Sequence, residues 1–491
     1  MKVNWFCKLL NLIGQRKKLR RECIKMKSSK LWILTEERPK DSVIGEILQK
    51  FAKDHKVACF INNIKILPIL NKDKSFSFTY VVKGFDSQIV KEIYIKTVSG
   101  YSSFVDFLIF YQDDIPDQKD TPIYAIEETK TDDAESRNTG VYQRASKFPY
   151  IEYYYPSIAK VMLYSLQIEQ KEKQTDTNIF GTKCLHTIGV SIIGKCLDEV
   201  INKPWESIDE LIAFKNGMRS APKGNVSVKL TKSASKIQIS GRLFKADSLS
   251  HDPNIGMLSL ICATLRELGW KEELEITLHG LEQKHINRSS KFLQIAERYD
   301  IDFEGLTRQK VKPKNAYWRY DLKGEKLGTI FVHLIVENFT TGFSIYENHA
   351  GCERGYFMTE KGEPIVVGKY IDREAYKNGD KTQIIHIPDL VLADIDRKLV
   401  INVEGKKYST MQQGIDELNN FDGFELHYIK KYFPEYKEII RTVVLFGSKN
   451  TEIEKVEVSF LLNDNGKMIL NVNAPKLFEI AIQNLISYWR L

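Results

Sequence analysis

Metal-binding and disulfide-forming patterns are absent from this chain. Its seven cysteines include no CxxC pair, and its nine histidines show no HExxH or other ligand spacing. These absences argue against a zinc ribbon and against a disulfide scaffold. Scattered, unpaired cysteines are instead typical of a protein that keeps its thiols reduced in the cytoplasm.

Long apolar runs are also missing. No uninterrupted apolar segment approaches the ~18 to 20 residues that cross a bilayer. The N-terminal stretch 5–13 is short, contains Lys8, and precedes its main cationic cluster, which is the wrong order for a secretion signal. The sequence therefore predicts a cytoplasmic protein with no membrane partner.

Acidic residues are missing from one stretch in the middle of the chain, between Glu210 and Asp247. Eight cations lie inside this stretch: Lys215, Arg219, Lys223, Lys229, Lys232, Lys236, Arg242 and Lys245. Cations interleaved with small polar residues suit phosphate contacts along DNA. The alternative is a solvated basic hairpin that turns at Gly224-Asn225.

The length and the net charge of the chain limit how it can be organised. A chain of 491 residues predicts two or three domains, and a net charge of +8 favours a polyanionic partner. We predict a basic extension (1–25), an α/β unit (26–170), a basic DNA-recognition region (171–320) and a second α/β unit (321–491). The extension either precedes an alternative start at Met26 or is a flexible arm that touches phosphates.

The most informative stretch lies in the second unit. Two β-rich runs, 384–392 and 399–403, flank a polar connection that suits a hairpin. Asp389 lies in the first run, and Glu404 and Lys406 end the second, where residues two apart project from one face. Two carboxylates and an ammonium on one face suit Mg²⁺-assisted hydrolysis of a phosphodiester. The alternative is the solvated edge of an ordinary hairpin.

A second acidic arrangement lies in the first unit. The run 102–111 carries Asp106, and after an acidic connection the run 123–130 carries Glu128 and Lys130 on one strand face. Pro116-Asp117 supplies a literal Pro-Asp pair but lies in a predicted turn, so Asp106 is the preferred metal ligand. The cations and amides that follow, Arg137, Asn138 and Arg144, are candidates for phosphate positioning, or they belong to a solvated helix start.

Three further expectations concern local structure. Residues 329–337 predict a strand, and residues 158–168 predict an amphipathic helix. Residues 410–421 predict a helix that follows the arrangement of Asp389, Glu404 and Lys406.

Glu347 and Glu353 lie upstream of Asp389 and are candidates for an additional carboxylate at the metal site of that arrangement.

Both acidic arrangements resemble the PD-(D/E)XK nuclease motif: Pro388-Asp389, fourteen residues, then Glu404-Gly405-Lys406, and Asp106 followed by Glu128 and Lys130. With the basic middle region, the chain is similar to a type II restriction endonuclease of that superfamily. The resemblance covers roughly residues 100–150 and 380–450. It implies a mixed α/β fold with a mixed sheet flanked by helices, and Mg²⁺-dependent cleavage of double-stranded DNA. It also implies a cognate DNA methyltransferase as the system partner.

The resemblance also assigns roles to residues. Asp389 and Glu404 would hold Mg²⁺ beside Lys406, and Asp106 and Glu128 would do the same beside Lys130. Two centres in one chain suggest that each cuts one strand, so that a monomer makes the double-strand break. The alternatives are a homodimer with one working centre per chain, a repair or junction nuclease, and a DNA-binding protein without hydrolytic activity.

Overall fold

The computed structural model describes residues 28–70, 76–100, 104–131, 140–168, 175–194, 203–218, 227–242, 252–287, 290–311, 316–321, 325–349, 355–446, 459–462, 468–471 and 475–490. Together the described residues form a mixed α/β protein with several sheets flanked by helices, as the sequence predicts. Within these ranges, no helix has the length and apolarity needed to cross a membrane.

The strands follow one another along the chain as β1 (Lys30–Thr35), β2 (Cys59–Leu70), β3 (Phe76–Ser87), β4 (Glu92–Gly100), β5 (Phe107–Tyr111), β6 (Tyr124–Thr131), β7 (Ala159–Ile168), β8 (Val190–Ile193), β9 (Ser227–Lys232), β10 (Lys236–Arg242), β11 (Glu273–His279), β12 (Ile301–Phe303), β13 (Trp318–Tyr320), β14 (Phe343–Glu347), β15 (Tyr356–Met358), β16 (Pro364–Val366), β17 (Leu390–Asp394), β18 (Leu399–Lys407), β19 (Glu438–Phe446), β20 (Ser459–Leu462) and β21 (Met468–Asn471).

The α-helices are α1 (Asp41–His55), α2 (Gly140–Ala145), α3 (Lys147–Tyr154), α4 (Asp176–Thr187), α5 (Ile208–Gly217), α6 (Asp252–Glu267), α7 (Gln283–Asn287), α8 (Ser290–Tyr299), α9 (Lys326–Phe339), α10 (Arg373–Lys377), α11 (Met411–Leu418), α12 (Asp422–Phe424), α13 (Lys430–Tyr432) and α14 (Lys476–Arg490). A π-helical turn, Glu425–Ile429, joins α12 to α13. Short 3₁₀ turns lie at Lys381–Gln383 and Tyr408–Thr410.

Two of the sheets contain the same five-strand arrangement. In the first sheet, β1, β5, β6, β7 and β8 are neighbours, with two antiparallel pairings followed by two parallel ones. In the C-terminal sheet, β14, β17, β18, β19 and β20 repeat that order with the same sequence of orientations. In each copy, helical segments lie between the third and fourth strands: α2 and α3 in the first, and α11 to α13 in the second. The two acidic arrangements therefore lie in equivalent places.

The first sheet extends past the predicted end of the first unit. The strand β8 lies beyond residue 170 and pairs with β7, and β13 returns to pair with β4. Residues 169–174, where that boundary was predicted, lie outside the described residues. The predicted middle region contributes a smaller sheet of its own, in the order β12-β11-β10-β9.

Apolar clusters join these sheets to one another. One cluster combines Leu108 of the first sheet with Leu258 of α6 and Ile276 of β11. Another combines Ile109 of the first sheet with Phe331 of α9 and Leu392 of β17. Because both clusters cross the predicted unit boundaries, the sheets share their cores.

Two local expectations were wrong. Residues 329–337 lie in the helix α9, which is buried along residues 327–336; a helix that is apolar on every face shows no periodicity, so its β-branched residues imitate a strand. The predicted amphipathic helix at residues 158–168 is instead the strand β7, which begins at Ala159, because parallel pairing on both sides overrides a weak helical pattern. The helix predicted at residues 410–421 is present as α11.

Candidate nuclease centres

The C-terminal centre consists of Asp389, Glu404 and Lys406. Leu390 pairs with Val403 in the antiparallel pair β17/β18, so Asp389, one residue earlier, faces Glu404. The Asp389 carboxylate is fixed there because its Oδ2 accepts a hydrogen bond of 2.9 Å from the Gly405 N–H. The two predicted carboxylates are therefore brought together by strand register.

Burial controls the protonation of these two carboxylates. Glu404 is 6% exposed. Loss of solvent, followed by the nearby Asp389 charge, raises the pKa of Glu404 to about 8. Burial likewise raises the pKa of Asp389 to about 6, against the lowering effect of the Gly405 hydrogen bond. Two like charges held together out of solvent are costly, and a cation between them would remove that cost.

Lys406 projects from the same strand face as Glu404 and contacts two carboxylates. Its Nζ lies 2.6 Å from Glu404 Oε1 and 2.6 Å from Glu417 Oε2 on α11. Burial disfavours the ammonium, but hydrogen bonds to Glu404 and Glu417 outweigh burial and raise the pKa of Lys406 above its ordinary value. Lys406 is therefore a cation at neutral pH. Glu417 was not predicted, because it lies on the following helix, outside the motif.

The N-terminal centre consists of Asp106, Glu127 and Lys147. Phe107 pairs with Ile126 in β5/β6, so Asp106 faces Glu127 in the way that Asp389 faces Glu404. The Asp106 Oδ2 accepts a hydrogen bond of 2.6 Å from the Glu128 N–H, which repeats the bond between Asp389 and Gly405. Both centres thus use an aspartate held by the amide of the residue after the glutamate.

Glu127 is fully buried. Burial, followed by the Asp106 charge, raises the pKa of Glu127 to about 8, as for Glu404. Lys147 Nζ lies 2.6 Å from Glu127 Oε1 and 3.6 Å from Asp106 Oδ1, and Arg144 Nη1 lies 3.5 Å from Glu127 Oε1. Among the described residues, Glu127 Oε2 accepts no hydrogen bond. It is a buried oxygen with an unused ligating capacity.

These contacts add Glu127 and Lys147 to the residues predicted for the N-terminal centre. Glu128 donates its backbone N–H to Asp106 and lines the cleft beside it, and the strand register places Glu127 opposite Asp106. Lys130 lies in β6, with a side chain outside the described residues. Among the described side chains, the lysine that contacts Glu127 is Lys147, which belongs to the helix α3. The Glu-x-Lys spacing in the sequence pointed to a register one residue away from the real one.

A cleft of about 460 Å³ lies against the N-terminal centre. Its lining combines Asp106, Glu128 and Lys147 with residues of the C-terminal part, including Glu325, Lys326 and Lys407. The backbone of Glu325 also approaches Gly405, since a Cβ built on Gly405 would lie 3.4 Å from Glu325 O. The cleft therefore lies between the two halves of the molecule, at the N-terminal centre.

The structure describes only some of the predicted DNA contacts. Lys229 and Lys232 are exposed on β9, but Lys232 Nζ lies 2.7 Å from Asp209 Oδ1. Arg144 points towards the N-terminal centre, where its Nη1 donates to Glu128 O at 2.8 Å. Outside the described residues lie Arg137, Asn138, Arg219, Lys223 and the side chain of Arg242. The Asp209 carboxylate beside Lys232 reduces the contribution of Lys232 to a basic surface.

The two additional carboxylates proposed for the C-terminal centre have different outcomes. Glu347 ends β14 and contacts Arg38 and two histidines rather than Asp389 or Glu404. Glu353 lies outside the described residues.

Comparison with known proteins gives no relative: no family model, no curated protein and no solved structure matches this chain.

Proposed function

We infer that this protein is a Mg²⁺-dependent endonuclease that cuts double-stranded DNA at a specific sequence, in the manner of a type II restriction enzyme, with one strand cut at each centre. The observation that carries this inference is the repetition of the site. The same five-strand arrangement occurs twice. In both copies, an aspartate bound to a strand amide faces a buried glutamate that contacts a lysine.

The donor set of each centre fits Mg²⁺. Mg²⁺ prefers oxygen ligands and is usually held by one or two carboxylates together with substrate phosphate and water. Asp389 and Glu404 would hold it in the C-terminal centre, and Asp106 and Glu127 in the N-terminal one. The unpaired Glu127 Oε2 and the raised pKa of each glutamate are what a carboxylate pair without its cation would show. When bound, the metal supplies Lewis-acid activation of water and of the phosphate.

The side chains of the protein have separate tasks in this account. The backbone hydrogen bonds hold Asp106 and Asp389 in one orientation, so that no ordering cost arises when substrate binds. Lys147 and Lys406 are ammonium groups that orient the attacking water and offset negative charge that develops on the phosphate. Pairing with carboxylates keeps both lysines charged, so their role is electrostatic rather than that of a general base.

Digestion of a long DNA of known sequence tests this function. Incubation with the full chain and Mg²⁺ should give discrete bands, and excess EDTA should prevent them. A smear would indicate a nuclease that is not sequence-specific. Tight, salt-sensitive binding without cleavage would instead favour the non-hydrolytic alternative. Methylation of the cleaved sequence by a cognate DNA methyltransferase should protect the DNA, as in a cytoplasmic restriction system.

A further inference from the structure

A cluster of two histidines and a glutamate lies apart from both carboxylate pairs. His333 is on α9, Glu347 ends β14, and His349 follows two residues later. Nitrogen or oxygen atoms from these three side chains all lie within 4.8 Å of one another. His333 Nδ1 lies 2.9 Å from His349 Nε2 and 3.5 Å from Glu347 Oε2. The spacing is that of three ligands around one small ion.

The outer nitrogen of His333 faces a carboxylate oxygen. His333 Nε2 lies 3.0 Å from Glu337 Oε1, and an ionised carboxylate can only accept a hydrogen bond. Arg38 donates to Glu337 Oε2, and Ser344 Oγ donates to Glu337 Oε1 at 2.8 Å, so Glu337 acts as an acceptor towards these neighbours. Beside this carboxylate the neutral His333 ring favours its proton on Nε2, which leaves the lone pair on Nδ1.

The outer nitrogen of His349 is fixed in a similar way. His349 Nδ1 lies 2.8 Å from Thr329 Oγ1. The Thr329 hydroxyl donates its one proton to Lys326 O at 3.0 Å, so its oxygen must accept from His349 Nδ1. The proton of His349 then belongs on Nδ1, which leaves a lone pair on Nε2.

Two lone pairs consequently face each other across 2.9 Å, with a carboxylate oxygen beside them. This arrangement is repulsive unless a cation lies between the nitrogens. The carboxylate behind His333 and the hydroxyl behind His349 are the outer partners that orient metal-binding histidines in proteins.

We propose that His333, Glu347 and His349 form a binding site for a borderline divalent cation of the Zn²⁺ type, separate from the Mg²⁺ centres. Imidazole nitrogens with one carboxylate suit Zn²⁺ and its transition-metal neighbours, whereas Mg²⁺ prefers oxygen ligands alone. Three protein ligands leave a fourth tetrahedral position for water or another group.

The surroundings of the site connect the two halves of the molecule. Arg38 Nη1 lies 3.2 Å from Glu347 Oε2, and Lys40 Nζ lies 3.3 Å from Glu347 Oε1. Both cations come from the segment between β1 and α1 in the first unit. His349 also lines the cleft that contains Asp106 and Lys147. An ion at this site would therefore fix the wall of that cleft.

Metal titration of the full-length protein tests the proposal. After exhaustive treatment with EDTA and removal of the chelator, the chain should bind one equivalent of Zn²⁺ that dialysis against Mg²⁺ does not displace. Co²⁺ at the same site should give the visible absorption of a nitrogen-ligated ion. Zn²⁺ should also raise the thermal unfolding temperature, because it binds the folded state only.

Variants locate the ion. His349→Ala and the isosteric Glu347→Gln should each no longer bind the one tight equivalent of Zn²⁺. Glu337→Gln should lower the Zn²⁺ affinity about tenfold or more, because it removes the outer partner of His333. His427→Ala, at an exposed histidine, is the matched control and should bind as wild type does. The double variant Asp106→Asn/Asp389→Asn should also retain Zn²⁺, since its substitutions lie in the other centres.

Three results would overturn the proposal. The wild-type chain could bind no Zn²⁺ more tightly than His349→Ala does, which would identify the two imidazoles as a protonated, hydrogen-bonded pair. Folded Glu347→Gln and His349→Ala, verified by circular dichroism, could both keep the full equivalent. The Asp106→Asn/Asp389→Asn variant could lose it, which would place the ion in the carboxylate centres.

Discussion

Glu127 and Glu404 are buried glutamates that face an aspartate across a pair of antiparallel strands. Their equivalence predicts that Glu127, rather than Glu128, is the acidic partner of Asp106. Glu127→Gln should reduce cleavage of one strand by about 100-fold or more, the scale on which removal of a catalytic electrostatic group acts. Glu128→Gln is the matched control and should retain double-strand cleavage, because Glu128 contacts Asp106 through its backbone. Time courses of nicked and linear plasmid distinguish the two variants, and equal cleavage by both would contradict the assignment.

The raised pKa values of the two glutamates predict an unusual pH dependence of stability. In EDTA, the folded state holds a proton on Glu127 and Glu404 up to about pH 8, whereas the unfolded chain loses those protons near the ordinary glutamate pKa of 4.5. Between these values the folded state binds more protons, so the free energy of unfolding falls as pH rises. Each unit of pKa difference corresponds to ~1.4 kcal/mol, so the effect is measurable.

Urea unfolding at pH 5.5 and pH 8 in EDTA measures this effect. In Glu404→Gln and in Glu127→Gln, the free energy of unfolding should fall less between pH 5.5 and pH 8 than in wild type, because glutamine stays neutral. Each variant should be more stable than wild type at pH 8. Saturating Mg²⁺ should restore wild-type stability at pH 8. If the variants show the same decline as wild type, the buried glutamates are not its source.

Gly405 has no side chain at the point where the strand passes Asp389. A Cβ there would lie 2.7 Å from Thr329 Cγ2 and 3.2 Å from Asp389 Oδ2. Gly405→Ala should therefore cost about 1 to 3 kcal/mol of stability through overpacking and should slow cleavage by displacing Asp389. Gly217→Ala is the control, because no atom lies within 4 Å of its Cβ position and alanine favours the end of α5. A Gly405→Ala variant as stable and active as Gly217→Ala would show that the close approach is unimportant.

At the scale of secondary structure elements, the two centres differ in which element supplies the lysine. The C-terminal centre takes Lys406 from β18, two residues after Glu404, whereas the N-terminal centre takes Lys147 from α3. The strand position that corresponds to Lys406 is Thr129, which is 5% exposed. Each cation thus lies 2.6 Å from the glutamate of its centre, although the two lysines occupy different places in the sequence.

Moving the lysine tests that equivalence. Lys147→Ala should abolish cleavage by the N-terminal centre, because the cation beside Glu127 is lost. The double variant Thr129→Lys/Lys147→Ala should recover part of that activity by placing an ammonium on the strand. Thr129→Lys alone controls for the steric effect of the new side chain. A fully active Lys147→Ala variant would remove Lys147 from the centre.

Nearly all of the C-terminal centre could be predicted from the sequence, but only part of the N-terminal centre could be. The hairpin around residues 394–398 is short, so its register follows from the spacing of Asp389 and Glu404. The connection from β5 to β6 spans residues 112–123, and a long loop does not fix register. The predicted Glu128 therefore lies one residue from Glu127, which faces Asp106 in the observed register, and no strand motif could reveal a lysine on a helix.

The same limit applies to α9. Its residues are apolar and β-branched, and only tertiary packing between two sheets makes them helical. The grouping of Glu347 with His333 and His349 was not predicted for a related reason, since a predicted strand at residues 329–337 gives no basis for bringing them together. The pair of histidines sixteen residues apart has no motif spacing.

At the scale of the whole molecule, the first sheet and the C-terminal sheet are packed into one structure. Asn338 of α9 donates to Ile66 O at 3.1 Å, and Trp489 of α14 donates to Pro68 O at 2.9 Å, so both C-terminal helices contact β2. The apolar cluster that joins Ile109 to Phe331 and Leu392 also includes Ile66 of β2 and Leu485 of α14. The fold of one chain therefore fixes the relative placement of the two centres, and this suits two coordinated cuts by a monomer.

Plasmid cleavage by single-centre variants tests this account most directly. On a supercoiled plasmid that wild type linearises, Asp106→Asn and Asp389→Asn should each accumulate nicked circles, and the double variant should leave the plasmid intact. Asp117→Asn, at the exposed turn after β5, should linearise the plasmid as wild type does. If Asp106→Asn or Asp389→Asn keeps full double-strand cleavage, the two centres do not cut one strand each, and the account fails.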